Sequence, residues 1–347
     1  MTRWFLLSLG LASLLLPPPA LAGKPQPPPP TPPADPAITW WRDDYSIMIA
    51  NDDGSDPYVL LGPINVKNGP ASYHRFPAWS VDGQWIVFGS DMPVKPADHP
   101  ELNATGTGLY MIRADGSFLC KITSTPDNLI DAEWSPAIPP GAASYRIAYA
   151  VQLGPSPCPS GCLQLPCCQN DVFLVDAECD AAPPVNVTRT EGETEIHPTW
   201  SPDASRFAVA YQNILETPGS DVDSLAIYAL NPAGDFAALE TNLGYPPGKT
   251  LVMSPEWSRG GTRIAVRAGG IWTYELDTGG WFEIVVPVAG ETLYWPTWSP
   301  DDARILFEHN LRDLWIADSV PGASPSYFLG VSGRRAPAYR FPQWRRF

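Results

Sequence analysis

The residue types that can do chemistry in this chain cluster just ahead of a recurring tryptophan. His74 and His197 precede Trp79 and Trp200 by five and three residues, and other charged or aromatic residues occupy comparable positions. Polar groups that converge in a concavity orient a ligand, while aromatic rings supply contact area. The candidate ligand or partner residues are Tyr73, His74, Arg75, Glu195, His197, Trp295, Tyr339 and Arg340.

These candidate residues could have a binding, a structural or an enzymatic role. The residues bind a protein or cell-envelope component without catalysis, or they only cap a channel and hydrogen-bond its walls. Alternatively, they process an acidic polysaccharide: Arg75 neutralises a carboxylate while a histidine or a bound metal assists proton abstraction. The candidates for that chemistry are His74, Arg75, Glu195 and His197. Since the sequence has no recognisable catalytic motif, including G-x-S-x-G, we expect a binding protein without catalytic residues, cofactor or resident metal.

The phrase that carries these residues recurs through the chain. Each copy has a proline or small residue before x-Trp, then turn residues such as Ser-Pro-Asp, then a run rich in β-branched and aromatic residues. This order predicts a strand, a tight turn and a second strand. The copies are FPAWSVDGQWIVFGS, DAEWSPAIPP, HPTWSPDASRFAVAY, SPEWSRGGTRIAVRA, WPTWSPDDARILFEH and the truncated FPQWRRF.

A second predicted hairpin follows each full copy, so the repeating unit has four strands. Its turn signals include Asp115-Gly116 between two apolar runs. The repeated tryptophans are 41 to 66 residues apart, and four-stranded units at such spacing are typical of propeller blades. Proline makes up 42 of 347 residues, which disfavours helices. The sequence therefore predicts an all-β fold, a six-bladed β-propeller of four-stranded blades.

The two ends of the predicted domain complement each other. The segments AITWW, YSIMIAN and DPYVLLG supply three strands of a unit that lacks its first strand. Residues 341–347 supply a first strand and nothing after it. We expect this C-terminal strand to join the three N-terminal ones and close the ring.

The repeats resemble the PxWSPDG…IAF…IYVMNADG repeat of the TolB-like, or PD40 (WD40-like), β-propellers. The resemblance extends over residues 38–347 and implies a propeller that binds envelope proteins, as TolB binds the peptidoglycan-associated lipoprotein. TolB carries an α/β domain ahead of its propeller. Here a proline-rich segment takes that place, so the resemblance implies a TolB-like propeller without the TolB N-terminal domain.

The N-terminal residues predict export. Residues 1–22 combine a positive start, the apolar run FLLSLGLASLLL and a small-x-small site, which together indicate a cleaved secretory signal peptide. Residues 23–37 form a proline-rich linker, and residues 38–347 form the propeller. We expect a periplasmic or secreted protein.

All six cysteines lie within one segment of this exported chain. Disulfides are the default in an oxidising compartment, although clustered thiolates also bind zinc or copper. Spacing does not define the pairing. The disulfide candidates are Cys120, Cys158, Cys162, Cys167, Cys168 and Cys179.

Charge narrows the choice of partner. The chain carries 22 basic and 37 acidic residues, a formal net charge of −15. A surface this acidic repels nucleic acid and anionic lipid headgroups. We therefore expect a protein or cell-envelope component as partner, with no nucleic-acid binding and no insertion into a membrane.

Overall fold

The computed structural model describes Pro33 and residues 35–64, 72–125, 129–153, 169–213, 223–329 and 339–345. These residues all lie in one compact unit, Pro32–Phe347. They form 24 strands and no α-helix, so this part of the chain holds no helix able to cross a membrane. The predicted signal peptide and most of the predicted linker lie outside the described residues.

The strands are short, as expected of runs bounded by proline and turn residues. In chain order they are β1 (Ile38–Arg42), β2 (Ile47–Ala50), β3 (Tyr58–Leu61), β4 (His74–Trp79), β5 (Trp85–Ser90), β6 (Gly108–Arg113), β7 (Leu119–Ser124), β8 (Leu129–Trp134), β9 (Arg146–Gln152), β10 (Asn170–Asp176), β11 (Val185–Asn186), β12 (Glu193–Trp200), β13 (Arg206–Asn213), β14 (Ser224–Leu230), β15 (Ala237–Gly244), β16 (Met253–Trp257), β17 (Arg263–Arg267), β18 (Ile271–Glu275), β19 (Gly280–Val285), β20 (Leu293–Trp298), β21 (Arg304–His309), β22 (Asp313–Asp318), β23 (Ser326–Leu329) and β24 (Tyr339–Trp344).

Six antiparallel sheets of four strands form the blades of a propeller, as the sequence predicts. Blade 1 has the order β24-β1-β2-β3, and blades 2 to 6 take β4–β7, β8–β11, β12–β15, β16–β19 and β20–β23. The first strand of each blade contacts the first strand of the next, and β24 contacts both β20 and β4. These strands therefore line the central channel.

Blade 1 is shared between the two ends of the chain, which confirms the predicted closure. β24 pairs with β1 in antiparallel register, with Ile38 opposite Trp344 and Thr39 opposite Gln343. Because the blade is incomplete without β24, the C-terminal strand is needed to close the ring.

The hydrophobic core is divided among the junctions between blades. The described residues form six buried clusters, and each joins one face of a blade to the facing side of the next. Each repeated tryptophan packs in the cluster between its own blade and the preceding one: Trp200, for example, lies with Ala148 and Leu174 of blade 3. Burial of one such ring stabilises the fold by about 3–5 kcal/mol relative to alanine.

A Ser-x-Asp segment after the tryptophan fixes the turn of the first hairpin in blades 2, 4 and 6. The Ser80 hydroxyl donates to Asp82 over 2.6 Å and accepts the backbone N–H of Trp85 over 2.9 Å. This satisfies polar groups that the first hairpin leaves unpaired. Equivalent pairs are Ser201 with Asp203 and Ser299 with Asp301.

Candidate functional site

Each channel strand contains a residue in the left-handed backbone region, three positions before its tryptophan. Their φ angles lie between 49° and 55°, and the pairing register with the next strand shifts at or beside each one. Such a shift marks a β-bulge, which turns a side chain out of the regular alternation. We call these six residues the mouth ring: Phe76, Asp131, His197, Ser254, Trp295 and Phe341.

Stacked aromatic rings occupy one half of the mouth ring. Trp295 stacks on Phe341 with ring centroids 3.4 Å apart, and Phe76 meets Phe341 edge to face at 4.6 Å. All three are half-buried. They help to line a shallow depression of about 40 Å³. A ligand at the mouth would therefore meet aromatic faces.

The other half of the mouth ring is polar. His197 Nδ1 lies 3.4 Å from Asp131 Oδ2, close enough for an ion pair but not aligned for a hydrogen bond. Ser254 is small, so Trp295 reaches across blade 5 and packs edge to face on His197, with centroids 4.7 Å apart. His197 and Ser254 are themselves buried, so Asp131, which is half-buried, is the polar side chain that this half of the mouth exposes most. Phe76, Ser254 and Phe341 are not among the candidates predicted from the sequence, although their place three residues before a tryptophan marks them.

His74 lies in the interior of the blade rather than at the mouth. It stands five positions before its tryptophan, and the bulge directs this position inward. Its Nδ1 is 2.9 Å from Ser90 Oγ and its Nε2 is 3.4 Å from Ser72 Oγ, while its ring packs against Phe88. Burial lowers the pKa of His74 to about 4, so the imidazole is neutral at physiological pH.

Glu195 occupies the equivalent position in blade 4 and is also fully buried. Its carboxyl group accepts hydrogen bonds from Tyr228 over 2.8 Å and from Thr190 over 2.9 Å. Burial, aided by the nearby acids Asp171 and Glu193, raises its pKa to about 8. The structure therefore does not bring His74 or Glu195 to the mouth beside His197.

Arg75 lies at the mouth, between blades 1 and 2. Its guanidinium carbon is 4.9 Å from the centre of the Tyr73 ring, 5.4 Å from that of Tyr45 and 5.7 Å from that of Trp41. Three aromatic rings thus surround one cation. Of the remaining candidates, Tyr339 and Arg340 belong to β24, and their side chains lie outside the described residues.

A second set of residues, one position before each tryptophan, ties neighbouring blades together. Four of these side chains accept the backbone N–H of the tryptophan in the next blade; Gln343 accepts from Trp79 over 2.9 Å and Thr199 from Trp257 over 3.0 Å. Glu133 and Thr297 accept in the same way. We call this set the closing ring: Ala78, Glu133, Thr199, Glu256, Thr297 and Gln343.

A disulfide joins blades 2 and 3, the junction at which the closing ring has Ala78 and no side-chain acceptor. Cys120 of β7 bonds to Cys179, which follows β10. Backbone hydrogen bonds from Asp180 to Lys121 and from Ala181 to Ile122 flank the bridge. This confirms disulfide formation for two of the six candidates and is consistent with an oxidising compartment. Cys158, Cys162, Cys167 and Cys168 lie outside the described residues.

The described residues do not converge as a metal site would require. Among them, no three His, Cys, Asp or Glu side chains come close enough together to hold a metal ion. His74 has both ring nitrogens next to serine hydroxyls inside its blade, whereas His197 lies at the mouth beside Asp131. The two histidines therefore do not face a common ligand.

Several solved structures resemble this chain in fold. TolB from Acinetobacter baumannii superposes with a TM-score of 0.58 at 15% sequence identity, covering 90% of this chain and 68% of that one. A putative TolB from Agrobacterium tumefaciens gives 0.55 at 15% identity, covering 88% and 98%. An oligogalacturonate lyase in complex with manganese gives 0.51 at 16% identity, covering 88% and 76%. No protein-family model and no curated protein matches the chain. The chain has the fold of the TolB-like propellers.

Proposed function

We propose that this chain is an exported, non-catalytic binding scaffold, periplasmic or secreted, that captures a protein or cell-envelope component at the channel mouth. The observation that carries the proposal is the make-up of the mouth ring. Half-buried Phe76, Trp295 and Phe341 offer stacked aromatic faces beside the polar pair His197 and Asp131. Aromatic residues at the centre of a concave surface, next to a few polar groups, are typical of energetic hot spots in protein interfaces.

The burial of the remaining candidates also favours binding over catalysis. In the alternative, a metal-assisted polysaccharide enzyme, the candidates His74, Arg75, Glu195 and His197 would act together on one substrate. His74 is enclosed in blade 2 and Glu195 in blade 4, each with its polar atoms already hydrogen-bonded. The likeness to an oligogalacturonate lyase lies in the fold, and a propeller fold hosts many unrelated functions.

Affinity capture tests the proposal. Residues 23–347 serve as bait in an envelope extract of the host, and bound proteins are identified by mass spectrometry. The double variant Phe76→Ser/Trp295→Ser is expected to lose the specific partner and to remain folded. The matched control Phe282→Ser/Tyr327→Ser removes two exposed aromatic rings from the outer strands β19 and β23, and it should retain the partner.

Two outcomes would count against the proposal. Identical capture by the mouth variant, the control and the unmodified protein would exclude the mouth as the binding face. Loss of acidic-polysaccharide cleavage on treatment of an active, purified protein with a chelator would establish the enzymatic alternative instead.

A further inference from the structure

Arg75 is a cation whose buried Nε lacks a hydrogen-bonding partner. No hydrogen bond or ion pair reaches its guanidinium group from the residues that the structure describes, and its Nε is shielded from solvent. By contrast, Arg345, whose Nε is also buried and unpaired, forms an ion pair through Nη2 with Asp35 over 2.7 Å. A buried donor without an acceptor is destabilising, and more so when it carries charge.

A narrow cavity of about 20 Å³ adjoins the Arg75 side chain. It lies between β4, β5 and β6, with Tyr73, Ser90 and Thr125 among its walls. The hydroxyl of Thr125 is a second buried polar atom that has no hydrogen-bonding partner among the described residues. Arg75 and Thr125 therefore both line this narrow space, which suits a small anionic group with several acceptor lone pairs.

The aromatic residues around Arg75 add a preference for a planar anion. Trp41 and Tyr45 stack with their ring planes 7° apart, and Tyr73 adds a third ring beside the cation. Such rings restrict the guanidinium plane, so less conformational entropy is lost when it pairs with the two oxygens of a carboxylate. They also offer apolar contact to residues that flank the anion.

The surroundings favour one carboxylate over a polyanion. Asp44, paired with Arg42, lies in the β1–β2 turn next to Tyr45, and Asp91 accepts the backbone N–H of Tyr73. Asp131 belongs to the same mouth. A polyuronate, which carries a carboxylate on every sugar, would be repelled by these acids, whereas a lone carboxylate between apolar residues would not.

We propose that Arg75 is the anchor for a single carboxylate of a peptide segment in the partner, an Asp or Glu side chain flanked by apolar residues. This inference rests on the proposed function, because it specifies the chemistry of the partner that the mouth captures. Arg75 and Thr125 recognise the carboxylate, and the rings of Trp41, Tyr45 and Tyr73 contact its neighbours.

Nuclear magnetic resonance of the arginine Nε–H groups, recorded on a protein of residues 23–347, tests whether Arg75 binds a carboxylate. The Arg75 signal is assigned by its loss in Arg75→Gln. The probes are the acetylated and amidated tripeptide Phe-Glu-Leu, its Phe-Gln-Leu analogue and trigalacturonate. The glutamate peptide is expected to shift the Arg75 signal saturably and to bind about tenfold more tightly than the glutamine peptide, the usual value of one charge-assisted pair.

Matched variants make the result specific. Arg75→Gln should bind the two peptides equally, whereas Arg267→Gln should keep the difference, because Arg267 also stacks on a tyrosine, Tyr294, but belongs to blade 5. Equal shifts with both peptides, or no saturable shift with either, would overturn the inference. Tighter binding of trigalacturonate than of the glutamate peptide would also overturn it, in favour of an acidic sugar.

The captured partner separates failure of this inference from failure of the proposed function. If Arg75→Gln still captures the partner at full strength while Phe76→Ser/Trp295→Ser does not, the scaffold function stands and the carboxylate anchor fails. If every variant captures the same proteins, the mouth is not the binding face and both proposals fail.

Discussion

The mouth ring and the closing ring lie two residues apart on the same six strands, yet they differ in kind. Five of the six closing-ring residues have polar side chains, and four of those side chains accept a backbone N–H from the next blade. The mouth ring instead combines three aromatic residues, an acid, a histidine and a serine. The similar polar side chains of the closing ring indicate that its residues share one structural task, the linking of neighbouring blades. The different side chains of the mouth ring, which faces a concavity, indicate that its residues recognise a ligand.

The largest expected effect is on ring closure as a whole. Deletion of residues 341–347 removes Phe341, Gln343 and Trp344, and leaves blade 1 with three strands. We expect a loss of at least about 5 kcal/mol, comparable with the total stability of many domains. Thermal unfolding followed by circular dichroism measures it. Deletion of residues 346–347 alone, which leaves β24 intact, is the control, and equal melting temperatures in both deletions would contradict the role of β24.

A smaller effect is expected inside β12, the strand that supplies both His197 and Thr199. Burial raises the pKa of Glu195 to about 8, so the folded protein holds a proton that the unfolded chain releases above its ordinary value of 4.5. Stability should therefore fall as pH rises from 4.5 to 8. Glu195→Gln cannot lose this proton and should be more stable than the unmodified protein by on the order of 2 kcal/mol at pH 7, with the difference vanishing near pH 4.

Urea denaturation across this pH range measures the difference. Glu291→Gln provides a control of opposite sign, because the backbone N–H of Val288 and the side chain of His309 lower the pKa of Glu291. That variant should lose stability at neutral pH. Parallel pH profiles for Glu195→Gln and the unmodified protein would mean that Glu195 ionises normally in the fold.

A third, weaker test addresses single bonds of the closing ring. Thr199→Val and Thr297→Val preserve side-chain shape but remove the acceptors for Trp257 and Trp344. Each is expected to cost about 1–2 kcal/mol, the typical penalty for one buried, unsatisfied N–H. Denaturant unfolding of the serine variants at the same positions, which keep the hydroxyl, should show a smaller loss. Equal losses in valine and serine variants would assign the effect to packing.

The smallest effect on stability is expected at the mouth. His197→Asn removes the contacts with Trp295 and Asp131 but leaves the closing ring complete. Its free energy of unfolding should change by less than about 1 kcal/mol, while partner capture weakens. A loss larger than that of Thr199→Val would mean that the mouth ring also holds the fold together, and the distinction between the rings would then fail.

The repeat explains why the fold was predictable. The tryptophans, the turn residues that follow them and the β-branched runs predict the same hairpin in each of the five full copies. The two ends of the chain predict closure because the N-terminal segments lack the first strand of a blade and the C-terminal segment supplies it. The aromatic residues around Arg75 could not be predicted from the repeat. Trp41 and Tyr45 come from the β1–β2 hairpin and meet β4 only through the ring geometry.

The bulge explains where the site prediction differs from the structure. If the side chains of β4 and β12 alternated regularly between the two faces of the sheet, His74 and Glu195 would lie beside the mouth. In each strand, however, the residue two positions later has a positive φ, and this bulge shifts the alternation. Five of the six bulge residues precede a proline, a signal visible in the sequence; Asp131, which precedes Ala132, has the same geometry without it. A pattern based on proline alone would therefore miss one blade.

The sharing of blade 1 between the chain ends also constrains when the protein can acquire its structure. Blades 2 to 6 can form in order as the polypeptide is made, since each is contiguous. The first three strands must wait, with one edge unpaired, until Trp344 has been synthesised. A truncated or stalled chain thus exposes a free strand edge, which makes it a substrate for proteases and chaperones and keeps an incomplete product from accumulating as a folded protein.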